Sequence, residues 1–348
     1  MYVPQLTFTR FIAASCIVFF HFGNSIYPFN SQYLSNVVMN ADVAVSFFFF
    51  LSGMVLTLSY WEKEKFSARL FVKKRLARIY PLYILASLLT LTILMTHSSL
   101  FWDEIVSEIL MIQAWNPEVV LKINYPSWSI SAELFFYCLF PFLIVFLQKK
   151  TFSFMLIFTL GIWGVCRYWE FFVERDLFYF FENAQNVTNF IILFPLFHLN
   201  TFIFGILAGV IVLKLKRMKY SYSIFPFITW IIGSFLVVYF INQNEVKYVY
   251  KLTTGLFCPL FMFVTVGLAM DESFISRLFS HKYLVYLGNV SYAVYILQFP
   301  IAMIYLKLVS RTTFNLLHIV LYYIVLVIIS SLLYSFFEKK AQRWILKN

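Results

Sequence analysis

Apolar runs of about twenty residues, broken by short polar stretches, recur along the chain. A run of that length suits a helix crossing a hydrocarbon layer about 30 Å thick. The pattern predicts ten spans, near 8–28, 37–60, 79–97, 128–147, 151–170, 190–213, 222–241, 252–270, 284–308 and 314–337. An even number returns both termini to one side. The alternating ten-residue strands of a membrane barrel do not occur. The expected fold is all-α: a polytopic membrane protein of about ten transmembrane helices with both termini cytoplasmic. It is expected to form one integral-membrane domain over 1–348, with no appended soluble domain.

Composition agrees. The hydrophobic share is 61% and the charged share 12%, with a mean hydropathy of +0.80. Soluble chains average about a quarter charged residues. The net charge of +11 does not point to nucleic acid, because the basic residues cluster at the ends of apolar runs. With the N-terminus inside, twenty Lys and Arg fall on the inner face and seven on the outer, as the positive-inside rule requires. Cys16, Cys138, Cys166 and Cys258 show no CxxC spacing and read as packed thiols, with neither a disulfide framework nor a metal site. The first apolar run lacks a basic leader and a small-residue cleavage site, so it is expected to remain as the first span. In the longest outer loop, near 98–127, "FWDEIVSEILMIQAW" suits either a helix on the interface, with Trp102 and Trp115 at headgroup depth, or an ordinary loop helix. No internal repeat is visible, which counts against many transporters.

Ionisable residues inside apolar spans are functional candidates by default. Arg10 and His21 are eleven residues apart, so they leave nearly the same face of one helix with about 16 Å of rise between them. Asp42, in "NADVAVSFFFFLSG", either is a helix-start charge matched to the macrodipole or orients the His21 ring. Gly53 at the end of that run suits close helix packing or a local break. Arg75 and Arg78, three apart in "KKRLARIYPLY", are either anchors at an inner span end or a clamp for an anionic nucleotide. "YPSWSISAELFFY" carries Glu133 into an apolar run, one turn after Ser129 on the same face. That places Glu133 at the depth expected for His21 and Asp42. Ser291, Tyr295 and Gln298 share another face, as pore lining or as a packed seam.

These motifs, in this order, resemble the integral-membrane acyltransferase family often called acyltransferase-3. The Arg10–His21 pair, "FFFFLSG", "RLARIYPLY", "WSISAE", "LGNVSYAVYILQFP" and the closing "FEKKAQRW" span nearly the whole chain. The sequence departs from the family pattern at Gln298, where many relatives carry a histidine. Glutamine transfers no proton near neutral pH, so the weight falls on His21.

The resemblance implies transfer of a short acyl group, acetyl first, from cytoplasmic acetyl-CoA or another short acyl-CoA. The acceptor it implies is a hydroxyl of a lipid-linked or surface saccharide outside a bacterial inner membrane. The expected partners are therefore acyl-CoA, the saccharide and the bilayer, with no nucleic acid and no metal. On the residue reading, Arg75 and Arg78 hold the donor's phosphates and Arg10 guides its pantetheine arm. His21 is the general base, Asp42 or Glu133 orients it or binds the sugar, and Ser129 donates to the oxyanion. Trp128, Tyr137, Tyr295 and Gln298 line the substrate path. A flippase for a lipid-linked saccharide and a non-catalytic assembly partner are the alternatives.

Overall fold

A computed structural model of the chain describes residues 1–41, 43–63, 66–95, 100–176, 184–218, 224–242 and 255–347. All regular structure among them is helical. The spans are α1 (Gln5–Phe22), α3 (Val43–Tyr60), α4 (Ala68–Leu94), α6 (Trp128–Gln148) and α7 (Phe152–Asp176), followed by α9 (Leu199–Arg217), α10 (Phe225–Asn242), α11 (Cys258–Met270), α13 (Lys282–Leu308) and α14 (Leu316–Leu333). The shorter helices are α2 (Ser35–Met39), α5 (Trp102–Ile109), α8 (Ala184–Leu193), α12 (Phe274–Phe279) and α15 (Lys339–Lys347). Among the described residues nine helical segments are long and apolar enough to cross a membrane, and α11 is a tenth, shorter apolar helix. The protein is an all-α, multi-pass membrane protein.

Several predicted spans change shape. The second is split into α2 and α3. The third begins much earlier, since α4 runs from Ala68 and carries Arg75 and Arg78 inside the helix, continuing through Pro81. The sixth is broken at Phe194–Pro195 into α8, a 3-10 turn (Pro195–His198) and α9, where Phe194 takes an extended conformation, the one favoured for a residue preceding proline. The last continues through a π-helical turn, Tyr334–Glu338, into α15.

Helices α3 and α9 form the buried centre, whereas α7 and α10 turn most of their apolar surface outward. Close approach needs glycine at the centre: a Cβ on Gly53 would stand 2.1 Å from the Phe202 carbonyl oxygen. Close packing is therefore what Gly53 serves. Gly288 does the same between α13 and α1, where a Cβ would meet the Thr7 carbonyl oxygen at 2.1 Å. That contact sets the register between the helix carrying Arg10 and His21 and the helix carrying Tyr295 and Gln298.

One end of the bundle gathers the basic residues. There the N-terminal amine donates to the Leu58 carbonyl at 2.7 Å, Arg217 pairs with Glu62 at 2.6 Å, and Lys214 lies over the Phe152 ring. Glu338, within electrostatic reach of Arg10 and Arg78, leads α15 from the same end, so both termini are on one side. Lys65, Lys219, Lys247 and Lys251 lie outside the described residues. All four cysteines are free thiols, but only Cys166 and Cys258 are buried. Cys16 and Cys138 face outward, as apolar side chains can in lipid.

At the other end, α5 is inverted relative to a soluble amphipathic helix. Glu104 and Glu108 are buried while Trp102 is 81% exposed. The apolar face looks away from the protein, as an interfacial helix requires.

Candidate active site

Polar residues run in a line through the apolar bundle. At its inner end, Arg10 from α1 and Arg75 and Arg78 from α4 are all half-buried. Arg10 lies within electrostatic reach of both other guanidiniums and of Glu133 and Tyr137. Three like charges in a membrane interior are costly without a counterion. Yet the buried Nε atoms of Arg10 and Arg75 have no hydrogen-bond partner. Glu133 is engaged elsewhere: its Oε1 accepts from Ser52 Oγ at 3.1 Å and from the Tyr137 hydroxyl. Unpaired donors on fixed guanidiniums suit an anion.

Glu133 thus belongs with the arginines. The expectation that it shares a level with His21 fails, because α6 delivers it to the Arg10 end of α1. Glu338, which sequence reasoning passed over, faces the same cluster. Its Oε2 is buried without a partner, and Arg78, Lys339 and Arg10 are its charged neighbours. The π-helical turn points it there; turns of this kind concentrate at functional sites. The signal in the sequence was the acid heading the basic run "FEKKAQR".

The middle of the line is a cavity of about 40 Å³ whose lining includes Arg10, Phe48, Ser129, Glu133, Ser291 and Tyr295. It has room for no more than a few waters. Ser129 Oγ and the Tyr295 hydroxyl are 2.8 Å apart, and both donate to the Pro126 carbonyl, at 3.2 and 3.0 Å. Trp128 is not on this path: its ring packs against Phe49 and His198 in the aromatic core. Tyr137 meets the line through its hydrogen bond to Glu133 and lies within electrostatic reach of Arg75 and Arg78.

The outer end is His21. Its Nδ1 is 2.9 Å from Gln298 Oε1, and Gln298 Nε2 donates to the Tyr295 carbonyl at 2.8 Å. That second bond fixes which end of the amide faces the ring. A carbonyl oxygen only accepts, so His21 carries a proton on Nδ1, and in the neutral ring the lone pair is on Nε2. The Tyr125 ring stands edge-on to the imidazole at 5.1 Å. The Tyr322 hydroxyl holds the Gln298 backbone carbonyl at 2.6 Å. Gln298 is thus hydrogen-bonded to the ring, a contact that the sequence reading gave to Asp42 or Glu133. Glu133 is at the wrong depth, and Asp42 lies outside the described residues. Arg10 and His21 both face α13, as their spacing demanded. The structure brings together Arg10, Arg75, Arg78 and Glu133 at one end and His21 with Gln298 at the other, with Ser129 and Tyr295 between them.

Comparison with known proteins gives the chain's family. A family model for the acyltransferase domain matches residues 3–335. The chain is 33% identical over 150 residues to "Acyltransferase MdmB" of Streptomyces mycarofaciens, covering 40% of this chain and 38% of that protein. It is 23% identical over 326 residues to a "Putative O-acetyltransferase" of Staphylococcus aureus (strain COL), covering 86% of this chain and 50% of that protein. A protein with the same description from strain MSSA476 matches at the same identity and coverage. The chain thus spans half or less of the length of the curated relatives it matches. No solved structure matches it.

Proposed function

Because the chain belongs to the acyltransferase domain family, we propose that it moves a short acyl group, acetyl first, from cytoplasmic acyl-CoA to a saccharide hydroxyl across a bacterial inner membrane. The observation that carries this reading is the His21–Gln298 contact. It holds the imidazole by an Nδ1 donor, so that in the neutral ring the Nε2 lone pair is available at the far end of a polar line from three arginines. A base and an anion clamp on opposite sides of a membrane suit a donor and an acceptor that meet inside it.

Arg75, Arg78 and Arg10 take the donor's phosphates, which supply the charge that the unpaired guanidinium groups call for. Glu133, held by Ser52 and Tyr137, offsets part of the Arg10 charge across the same cavity. The arm of the donor then lies along the line toward Ser129 and Tyr295. A cavity of about 40 Å³ admits waters but no such arm, so donor entry requires its walls, Phe48 among them, to yield.

At the reacting end, His21 Nε2 takes the proton from the acceptor hydroxyl, whose oxygen forms a bond to the thioester carbonyl carbon. The oxyanion draws on the Ser129 and Tyr295 hydroxyls once they turn from the Pro126 carbonyl. The C–S bond breaks as the oxyanion collapses, and the CoA sulfur leaves with the proton held by His21. General-base catalysis of this kind typically contributes about 10² to 10⁴ in rate.

The test is His21→Ala in purified, lipid-reconstituted protein, assayed by release of free CoA thiol in the presence of a saccharide acceptor. The expected outcome is a loss of at least about a hundredfold with unchanged expression. Full activity in that variant refutes His21 as the base. Saccharide movement with no thiol release from the wild type supports a flippase instead.

A further inference from the structure

One buried carboxyl lies off the line from arginine to histidine. Glu108, on α5, is 2% exposed. Its Oε1 accepts from Ser87 Oγ of α4 at 2.7 Å, and its Oε2 accepts from Ser127 Oγ at 3.0 Å. Its backbone carbonyl accepts from the Tyr83 hydroxyl at 2.7 Å. Gln113 closes the ring, donating to Tyr83 at 3.1 Å and to Ser127 at 2.9 Å. A carboxyl at this depth is tolerated only when its partners are supplied, and here α4 and the segment ending in Ser127 supply them.

The segment tied down is the one that matters. The 3-10 turn Tyr125–Ser127 presents Tyr125 to the His21 ring at 5.1 Å. It also presents the Pro126 carbonyl to both Tyr295 and Ser129. Just before it, Asn124 Nδ2 donates to the Ile296 carbonyl at 3.1 Å. The same few residues thus touch the base, the hydroxyl pair and the helix that carries Gln298.

We propose that Glu108 is a positioning residue for acyl transfer, its carboxyl fastening α5 and α4 to the Tyr125–Ser127 turn so that His21, Ser129 and Tyr295 keep their mutual geometry. This rests on the acyl-transfer reading above. Glu108 touches none of the reacting groups and acts through Ser127. The groups facing it are Ser87 and Tyr83 from α4, Gln113 and Ser127. One turn away on α5, Glu104 lies 3.9 Å from Lys122. Among the described residues no cation is paired with Glu108 itself, and burial pushes its carboxyl up to about 7.

The experiment compares Glu108→Ala and Glu108→Gln with wild type in lipid nanodiscs, normalised to folded protein, by CoA thiol release. A histidine-selective NMR spectrum of the same samples reads the ring-current shift that Tyr125 imposes on His21. Glu108→Ala is expected to lower kcat by about ten- to a hundredfold, the cost of a misplacement near 1 Å. KM for acyl-CoA should stay within about threefold, since the arginines are at the other end of the line. The His21 resonance should move. Glu108→Gln keeps an acceptor oxygen and should recover kcat to within a few fold while losing the part of the pH profile that Glu108 sets near 7. An unmoved His21 resonance in Glu108→Ala overturns the inference, whatever the activity. So does an unchanged kcat, or a fall in kcat and rise in KM by similar factors. If Glu108→Ala does not fold, the NMR and pH readouts in Glu108→Gln decide it. Absence of thiol release from the wild type counts against acyl transfer itself, and the NMR arm still tests the latch.

Discussion

Adding a single methyl group to Gly288 should separate the base from the group that orients it. A Cβ there would lie 2.1 Å from the Thr7 carbonyl oxygen and 2.4 Å from its carbon, where ordinary contact begins at 3.4 Å. Both obstacles are backbone, so no side chain can swing aside. The helices must part by about 1.3 Å, the gap between 2.1 and 3.4 Å. Carried along α13 to Gln298, that shift stretches the 2.9 Å contact with His21 beyond hydrogen-bonding range. Losing the bond alone costs about 1 kcal/mol, or roughly fivefold in rate. Misplacing the base by 1 Å costs up to about a hundredfold. Gly288→Ala should therefore cut kcat for CoA thiol release by about ten- to a hundredfold, and overpacking should remove about 1–3 kcal/mol of stability. Gly161→Ala is the control, because a Cβ there meets nothing within 4 Å and alanine suits a helix better than glycine. Turnover within twofold of wild type in Gly288→Ala would refute the claim that the α1–α13 contact holds the site in register.

Other perturbations follow from the same geometry. Gln298→Met fills similar space but removes the acceptor for His21 Nδ1, so kcat should fall about tenfold with KM for acyl-CoA little changed; an unaltered kcat would show that the tautomer is set by something else. Arg75→Ala with Arg78→Ala should raise KM for acyl-CoA by at least about tenfold, measured by initial rates, and an unchanged KM removes the phosphate clamp. Glu108, raised from 4.5 to about 7, binds a proton more tightly folded than unfolded. Its contribution is fully present below about pH 4.5 and is lost as pH rises through 7, a change of at most about 3 kcal/mol. Thermal unfolding in detergent should show lower stability at pH 8 than at pH 5, and Glu108→Gln should flatten that slope.

The sequence made the spans legible because hydrophobic length is a one-dimensional property. A run of apolar residues must cross or be buried, wherever its neighbours are. Breaks within spans, such as Phe194–Pro195, were harder to place, since proline is tolerated in membrane helices where neighbours satisfy the freed groups. Along a single helix, spacing also sufficed: Arg10 and His21 do face one neighbour. What sequence could not supply was the relative depth of residues on different helices. Glu133 was set beside His21 by counting inward from a span end, but Trp128–Gln148 is placed so that the carboxylate reaches Arg10. Gln298 reads from sequence as path lining that cannot move a proton, yet its amide oxygen is the acceptor that faces His21 Nδ1. That role depends on α13 passing α1 at Gly288, a contact between residues far apart in the chain. Glu338 stayed hidden because a five-residue π-helical turn shifts the phase on which helical spacing arguments depend.

The small size of the central cavity matters beyond the reaction. A continuous water wire through a polar line with arginines at one end and a histidine at the other would let protons run down their gradient. A cavity with room for only a few waters, walled by Phe48 and Phe49, holds no more than a short stretch of such a wire. On the acyl-transfer proposal, further hydration of the route is deferred until a substrate occupies it.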